Sequence, residues 1–293
     1  MATTKYKISG HEKFAFRDGW LEKGIDLLIN NESNLDEEKY LDASEFNKIE
    51  AADKLGVGSN MVKSIRYWMN ACGLIERNGN KYVLSKLAKI FHEKDRYFED
   101  PFTWWVIHSN LVNNKNDAIV WYLFFNKIKV DSYTKEEIVQ ELKKELDALM
   151  GSGYSDKSLK DSVDVLIKMY TKDIKRKDDP EDKNICPLAY LNLIKRDEKG
   201  YANQQVGIND INSELVLYEL SRMFNGEKTL SIDRILSGEC GINNIYHINR
   251  MVLNQLLDEL ESKEYIRINR TAGLDVVYDE NIPSTEEIVK NHY

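Results

Sequence analysis

Hydrophobic positions recur every three or four residues along most of the chain, and polar breaks between those runs divide it into helices and short hairpins. Leu21, Ile25 and Leu28 fall at helical spacing behind Asp18, a residue suited to capping. Residues 5–17 alternate loosely, with Phe14 and Phe16 on one side, which fits a short strand or an extended arm. Residues 30–34 read as a polar loop, and a helical pattern resumes from about Asp36. Residues 51–55 then close a short helix, Gly56-Val57-Gly58 makes a turn, and Ser59 opens a longer helix through Ala71. In that helix Met61, Val62, Ile65, Met69 and Cys72 mark a buried face, leaving Ser59, Asn60, Lys63, Ser64 and Tyr67 for the opposite one. Residues 74–77 and 81–84 read as strands around Asn78-Gly79, a pair that favours the type I′ turn of a two-residue hairpin.

Beyond Pro101 the pattern is helical and rich in aromatic residues, with Trp104-Trp105 and Trp121-Tyr122 spaced as core residues. Thr134 is placed to cap a helix over 135–149, and another helix spans about 158–172. Residues 175–183, charged at nearly every position and holding one Pro, form a solvated loop and the best internal boundary. The last third repeats the earlier layout, with helices over 213–224, 231–236 and 248–262 and strands over 265–269 and 274–278 around Thr271-Ala272-Gly273. The predicted fold class is mainly α, with winged helix-turn-helix modules at both ends joined by a helical middle. Its segments are an N-terminal arm and helix (1–35), a winged module (36–97), a helical middle (98–205) and a second winged-helix-like unit (206–293).

Charge sharpens this picture locally. The 293 residues carry a net charge of −8, yet between Ser59 and Arg96 the bases Lys63, Arg66, Arg77, Lys81, Lys86, Lys89, Lys94 and Arg96 face only Glu76, Glu93 and Asp95. A positive segment in a negative chain suits an anionic partner, because phosphate attraction acts over about one Debye length, ~8–10 Å. A helix-turn-helix places its second helix in the major groove, so Ser59, Asn60, Lys63, Ser64 and Tyr67 are expected at base edges and Arg77 and Lys81 on phosphates. One residue departs from the pattern of bacterial winged regulators: Arg66 stands where they usually bury an aliphatic side chain. The helix over 248–262 carries Asp258, Glu259 and Glu261 beside Arg250, so packing or protein contact is the expected use of the second unit.

Other chemistries find little support. Gly56-Val57-Gly58 follows a helix and is succeeded by Met61, not the third glycine of a dinucleotide fingerprint, and no P-loop motif occurs. The five histidines and three cysteines are scattered, which suits neither a metal site nor a disulfide framework and fits a reducing cytoplasm. The longest apolar run, 118–125, is too short to cross a bilayer, and the N-terminus lacks a signal-peptide pattern. His11, Glu12 and Arg17 invite an acid–base reading. The competing expectation is that Phe14, Phe16 and Trp20 anchor an arm in which Arg17 pairs with a carboxylate and His11 is dispensable for stability.

Two runs carry a family resemblance. Gly10 to Gly24 (GHEKFAFRDGWLEKG) and Leu55 to Trp68 (LGVGSNMVKSIRYW), with Glu99-Asp100-Pro101 and Cys186-Pro187-Leu188 as further landmarks, resemble a bacterial family known as domain of unknown function 4007. Arg66 matches that family's run. Members are found beside genes resembling phosphoadenosine-phosphosulfate reductases and in phage-defence or DNA-sulfur-modification neighbourhoods. The resemblance implies a role near DNA modification or defence and supplies no catalytic residues. The expected function is a DNA-binding, non-catalytic accessory subunit needing no cofactor or metal. Its expected partners are duplex DNA and an enzyme of the system, with a homodimer open. The alternative is a protein-interaction adaptor with structural winged helices.

Overall fold

The computed structural model describes residues 6–29, 40–129, 131–151, 153–172, 185–198, 200–271 and 275–293. The loop expected at 30–34, the first residues of the pattern from Asp36, the charged stretch 175–183 and the second hairpin's tip at 272–274 lie outside them. The chain divides into two compact units, Met1–Ala202 and Asn203–Tyr293.

In the first unit an extended arm leads to α1 (Trp20–Leu27), a 3-10 turn (Ala43–Asn47), α2 (Ala51–Leu55), α3 (Ser59–Ala71), and the hairpin β1 (Ile75–Asn78) and β2 (Lys81–Leu84). Next come α4 (Lys86–Lys94), α5 (Pro101–Asn113), α6 (Ile119–Lys127), β3 (Ser132–Tyr133), α7 (Lys135–Met150) and α8 (Asp156–Tyr170). A 3-10 turn (Pro187–Leu191) precedes β4 (Ile194–Arg196) and β5 (Tyr201–Asn203), which line up with β3 in the order β3-β5-β4. The second unit comprises α9 (Ser213–Phe224), β6 (Thr229–Ser231), α10 (Ile232–Ser237), α11 (Ile242–Tyr246), α12 (Arg250–Ser262), β7 (Ile266–Asn269), β8 (Val276–Asp279) and α13 (Thr285–His292). There β8 pairs antiparallel with both β6 and β7.

This architecture corrects the expected fold class. Of the described residues 55% are helical and 11% extended, in three small sheets, so the protein is an α/β mix rather than a mainly α chain with winged modules at both ends. The pairings of β3 with β5 and of β6 with β8 join segments far apart in sequence, which local periodicity does not reveal. The pattern from Asp36 also does not continue as a helix: residues 43–47 form a 3-10 turn whose start is capped by Asp42, its carboxylate accepting from the Ser44 N–H at 2.8 Å. In the hairpin Asn78 pairs with Lys81, so the two-residue loop is Gly79-Asn80 and not Asn78-Gly79. Gly79, at φ 60°, occupies the first loop position, where a side chain would be strained.

Local signals do set most helix ends. Thr134 and Glu137 form a reciprocal capping box at α7, and Ser284 and Glu287 repeat it at α13. Asp100 caps α5 through the Phe102 N–H at 2.8 Å, with Pro101 at the first helical position, where its missing N–H costs nothing. Residues 119–126 of α6 are all buried, as expected of a helix apolar on every side.

The arm is the feature that organises the first unit. Residues 11–14 make a tight turn, with the Phe14 N–H donating to the His11 carbonyl at 2.8 Å and positive φ at both Glu12 and Lys13. His11 is buried, and its Nδ1 accepts from the Lys13 N–H at 3.1 Å, so Nε2 carries the proton toward Ser162 Oγ at 2.9 Å. Ser162 Oγ donates in turn to the Ile8 carbonyl at 2.6 Å, and Ser64 Oγ donates to the His11 carbonyl at 2.9 Å. Trp68, fully buried, donates from Nε1 to the Phe14 carbonyl at 3.0 Å. Its ring stacks on His11 at 6.0 Å and meets Trp121 edge-on at 5.2 Å. Gly10 is required by this packing, since a Cβ there would stand 2.5 Å from the Tyr67 ring.

His11 is therefore a structural residue, not a dispensable one. Burial holds its imidazole neutral and lowers its pKa from 6.5 to about 4, with Asp161 pulling weakly the other way. An unfolded chain takes up this proton below pH 6.5, whereas the folded chain resists until about pH 4, so stability drops as the pH is lowered through that window. The loss from this group should approach about 3 kcal/mol at the acid end. Urea unfolding at successive pH values should show this slope, and His11→Asn should flatten it while lowering stability at pH 7. An unchanged slope in the variant would place the responsible proton elsewhere.

Candidate nucleic-acid interface

The segment from α2 to β2 holds every residue expected to contact DNA, and the structure divides them into two groups. Gly56, at φ 64°, closes α2, and Gly58 precedes α3 with no side chain capping its first N–H groups. Ser59, Asn60 and Lys63 are exposed at this end of the helix. Ser64 and Tyr67 are not: Ser64 is fully buried against the arm, and Tyr67 is 8% exposed with its hydroxyl donating to the Asp117 carbonyl at 2.9 Å. The face assignment for these two residues is corrected on that ground. α3 is covered on two flanks, by the arm and middle helices and by α1, and a helix so enclosed leaves only a narrow polar stripe.

That stripe is Ser59, Lys63, Arg66 and Asn70, at i, i+4, i+7 and i+11. Arg66, half-buried, donates from Nη1 to Asn47 Oδ1 at 2.7 Å. Sequence reasoning set Arg66 aside as an anomaly and missed Asn47. The spacing of Arg66 from Lys63 and Ser59 was the signal that could have recovered it.

The hairpin bases are both engaged. Arg77 Nε donates to the Gly79 carbonyl at 3.0 Å, which folds the side chain back over its own turn. Lys81 lies 3.4 Å from Asp42 Oδ2. Asp42 is held in its charged form chiefly by hydrogen bonds from Ser44, which push its pKa down, and by Lys81. Among the described residues no carboxylate contacts Lys63 or Arg66, whereas Lys81 is partly neutralised by Asp42.

The corresponding surface of the second unit is laced with ion pairs. Asp258 meets Arg270 at 2.7 Å, Glu259 meets Lys263 at 2.7 Å, Arg267 meets Glu280 at 2.9 Å, and Arg250 pairs with Asp275 at 3.2 Å and with Asp233. Glu261 accepts from the Ile268 N–H at 2.5 Å. The acidic residues of α12 are thus largely balanced rather than a bare negative face.

The N-terminal motif does not assemble as an acid–base site. His11 points into the core and Glu12 into solvent, while Arg17 lies 5.6 Å from the Trp20 ring centre, a cation–π contact in place of the expected carboxylate. Among the described residues, no three His, Cys, Asp or Glu side chains gather in a way that could hold a metal ion. Cys72 and Cys186 are buried, Cys240 partly so, and none of the three is in a disulfide. No helix among the described residues is long and apolar enough to cross a membrane.

Fold and surface together define a helix-rich α/β protein whose third helix offers a narrow polar and basic stripe to solvent. The chain belongs to the family described as Protein of unknown function (DUF4007), which it matches over residues 8–293. Two solved structures share its fold. A magnesium ion-bound SspB crystal structure matches with a TM-score of 0.83 at 19% identity, covering 97% of this chain and 87% of the other. A second SspB crystal structure matches with a TM-score of 0.83 at 19% identity, covering 99% and 89%. No curated protein sequence matches the chain.

Burial of Ser64 and Tyr67 has a direct consequence. Ser64→Ala and Tyr67→Phe should each lower stability by about 1 kcal/mol, the usual cost of deleting one buried hydrogen bond. Denaturant titration of the two variants measures this. Wild-type stability in both would return these side chains to the surface.

Proposed function

We propose that this protein is a DNA-binding, non-catalytic accessory subunit of a bacterial DNA-modification or phage-defence system. The observation that carries the reading is the start of α3, where Ser59, Asn60 and Lys63 are exposed and no side chain caps the helix, with Arg66 following Lys63 along the polar stripe. N–H groups at a helix start favour phosphate oxygens, and a helix with one exposed polar edge matches the width of a major groove. Arg77, on the exposed hairpin, supplies a phosphate contact once it leaves its own turn. Membership of the DUF4007 family, whose resemblance implies a role near DNA modification or defence, supports the system-level part of the reading.

A second reading, a protein-interaction adaptor, draws on the other unit. Met251 is 71% exposed on α12 among side chains whose charges are already paired. Such a surface, with an apolar knob and little net field, suits a protein partner better than a polyanion.

Gel-shift titration of a short duplex against the full-length protein tests the first reading. Binding should weaken steeply with salt, and removing each phosphate contact should make the log–log slope shallower by about 0.9. Lys63→Ala and Arg77→Ala should each show this, Lys81→Ala less so because Asp42 already compensates it. Asp42→Asn should tighten binding a few-fold at low salt by freeing Lys81. Absence of wild-type binding at low salt would favour the adaptor.

A further inference from the structure

Asn47 and Arg66 form a contact that the phosphate-centred reading of α3 does not use. Arg66, half-buried, sits midway along the polar stripe, one turn from exposed Lys63 and one from half-buried Asn70. Its partner is an amide oxygen, 2.7 Å from Nη1, so the guanidinium is held without being neutralised. Five other arginines, Arg96, Arg234, Arg250, Arg267 and Arg270, contact carboxylates, and Arg77, which also meets a neutral oxygen, is folded back on its own turn and not braced by another element. The amide comes from a well-anchored place. Asn47 ends the 3-10 turn capped by Asp42, and the residues just before it, Glu45 and Phe46, are 8% and 5% exposed.

We propose that Arg66 is the specificity-determining residue of α3, reading the O6/N7 edge of a guanine in the major groove, and that Asn47 is its positioning residue. This rests on the DNA-binding reading and deepens it. A guanidinium has five N–H donors, and one bond to Asn47 leaves the Nε–Nη2 edge intact as a fork. Guanine offers two acceptors side by side in the major groove, and an arginine fork matches them as no lysine does. A long side chain loses much rotamer freedom on docking, so fixing it beforehand through one Nη removes part of that cost. A phosphate contact needs only charge, which exposed Lys63 supplies. The buttress on Arg66 adds direction, and direction matters for base edges rather than for phosphates.

The test selects from a randomised duplex pool of fixed length with the full-length wild type, then compares Arg66→Lys, Arg66→Ala, Asn47→Ala and Asn47→Asp on the enriched duplex and on its single-base variants. The wild type should prefer guanine at one position on the order of 10-fold. Arg66→Lys should keep the salt slope and affinity for unrelated duplex but lose that preference. Arg66→Ala should lose the preference and about one unit of slope. Asn47→Ala should weaken the preference at an unchanged slope. Asn47→Asp, which keeps the acceptor but neutralises the arginine, should retain the preference at lower affinity, and it serves also if Asn47→Ala fails to fold. Duplex binding with no base preference, or an Arg66→Lys protein that discriminates like wild type, overturns the assignment while leaving DNA binding intact. No duplex binding by the wild type overturns both.

Discussion

Trp68 is the fixed point around which the first unit is built. A tryptophan is large enough to need several neighbours and carries one N–H that must be satisfied when buried. The arm meets both needs: the Phe14 carbonyl accepts the indole proton, while His11 and Phe16 cover the ring, at centroid distances of 6.0 and 5.5 Å. Tyr67 and Trp121 close the remaining edges. Truncating such a residue typically costs about 3–5 kcal/mol. Here the loss would also release the arm and, with it, the turn at residues 11–14. Positive φ at Glu12 and Lys13 is unfavourable for residues with side chains, and the buried His11 hydrogen bonds on either side hold it in place.

The surface of α3 follows from the same packing. Because the arm covers one flank of the helix, its polar edge shrinks to a single row, and Ser64 becomes a hydrogen-bond donor inside the protein. The density of polar side chains in the N-terminal motif is thus explained by internal pairing. Ser162, His11 and Ser64 form a chain of contacts that lets a polar segment cross an apolar core, as buried polar groups require.

Charge is arranged on a different principle from packing. A net charge of −8 repels polyanions at long range, but at working salt the field is felt only over about 8–10 Å. What matters is which bases lack a neighbouring carboxylate. In the second unit bases and acids meet pairwise, and exposed pairs of this kind contribute only about 0–1 kcal/mol each to stability, so their main effect is to flatten the local field. Beside α3 the 3-10 turn places Asp42 against Lys81 but an uncharged amide against Arg66.

The sequence alone determined the elements whose cause is local. Thr134 with Glu137, Asp100 with Pro101, and the glycines at 56, 58 and 79 mark ends and turns through contacts within a few residues, so helices such as α3, α7 and α9 were legible without the fold. Lys63, Ser59 and Asn60 were legible as exposed for the same reason, from the period of the helix. The tertiary structure decided what depends on partners far along the chain. Ser64 and Tyr67 are polar and read as surface, yet they are buried by partners 53 and 50 residues away. Ser162 reaches Ile8 across 154 residues, and two of the small sheets join strands with helices between them. A hydroxyl goes inside only if a distant carbonyl is there to receive its proton, and neither periodicity nor spacing records where that carbonyl will be.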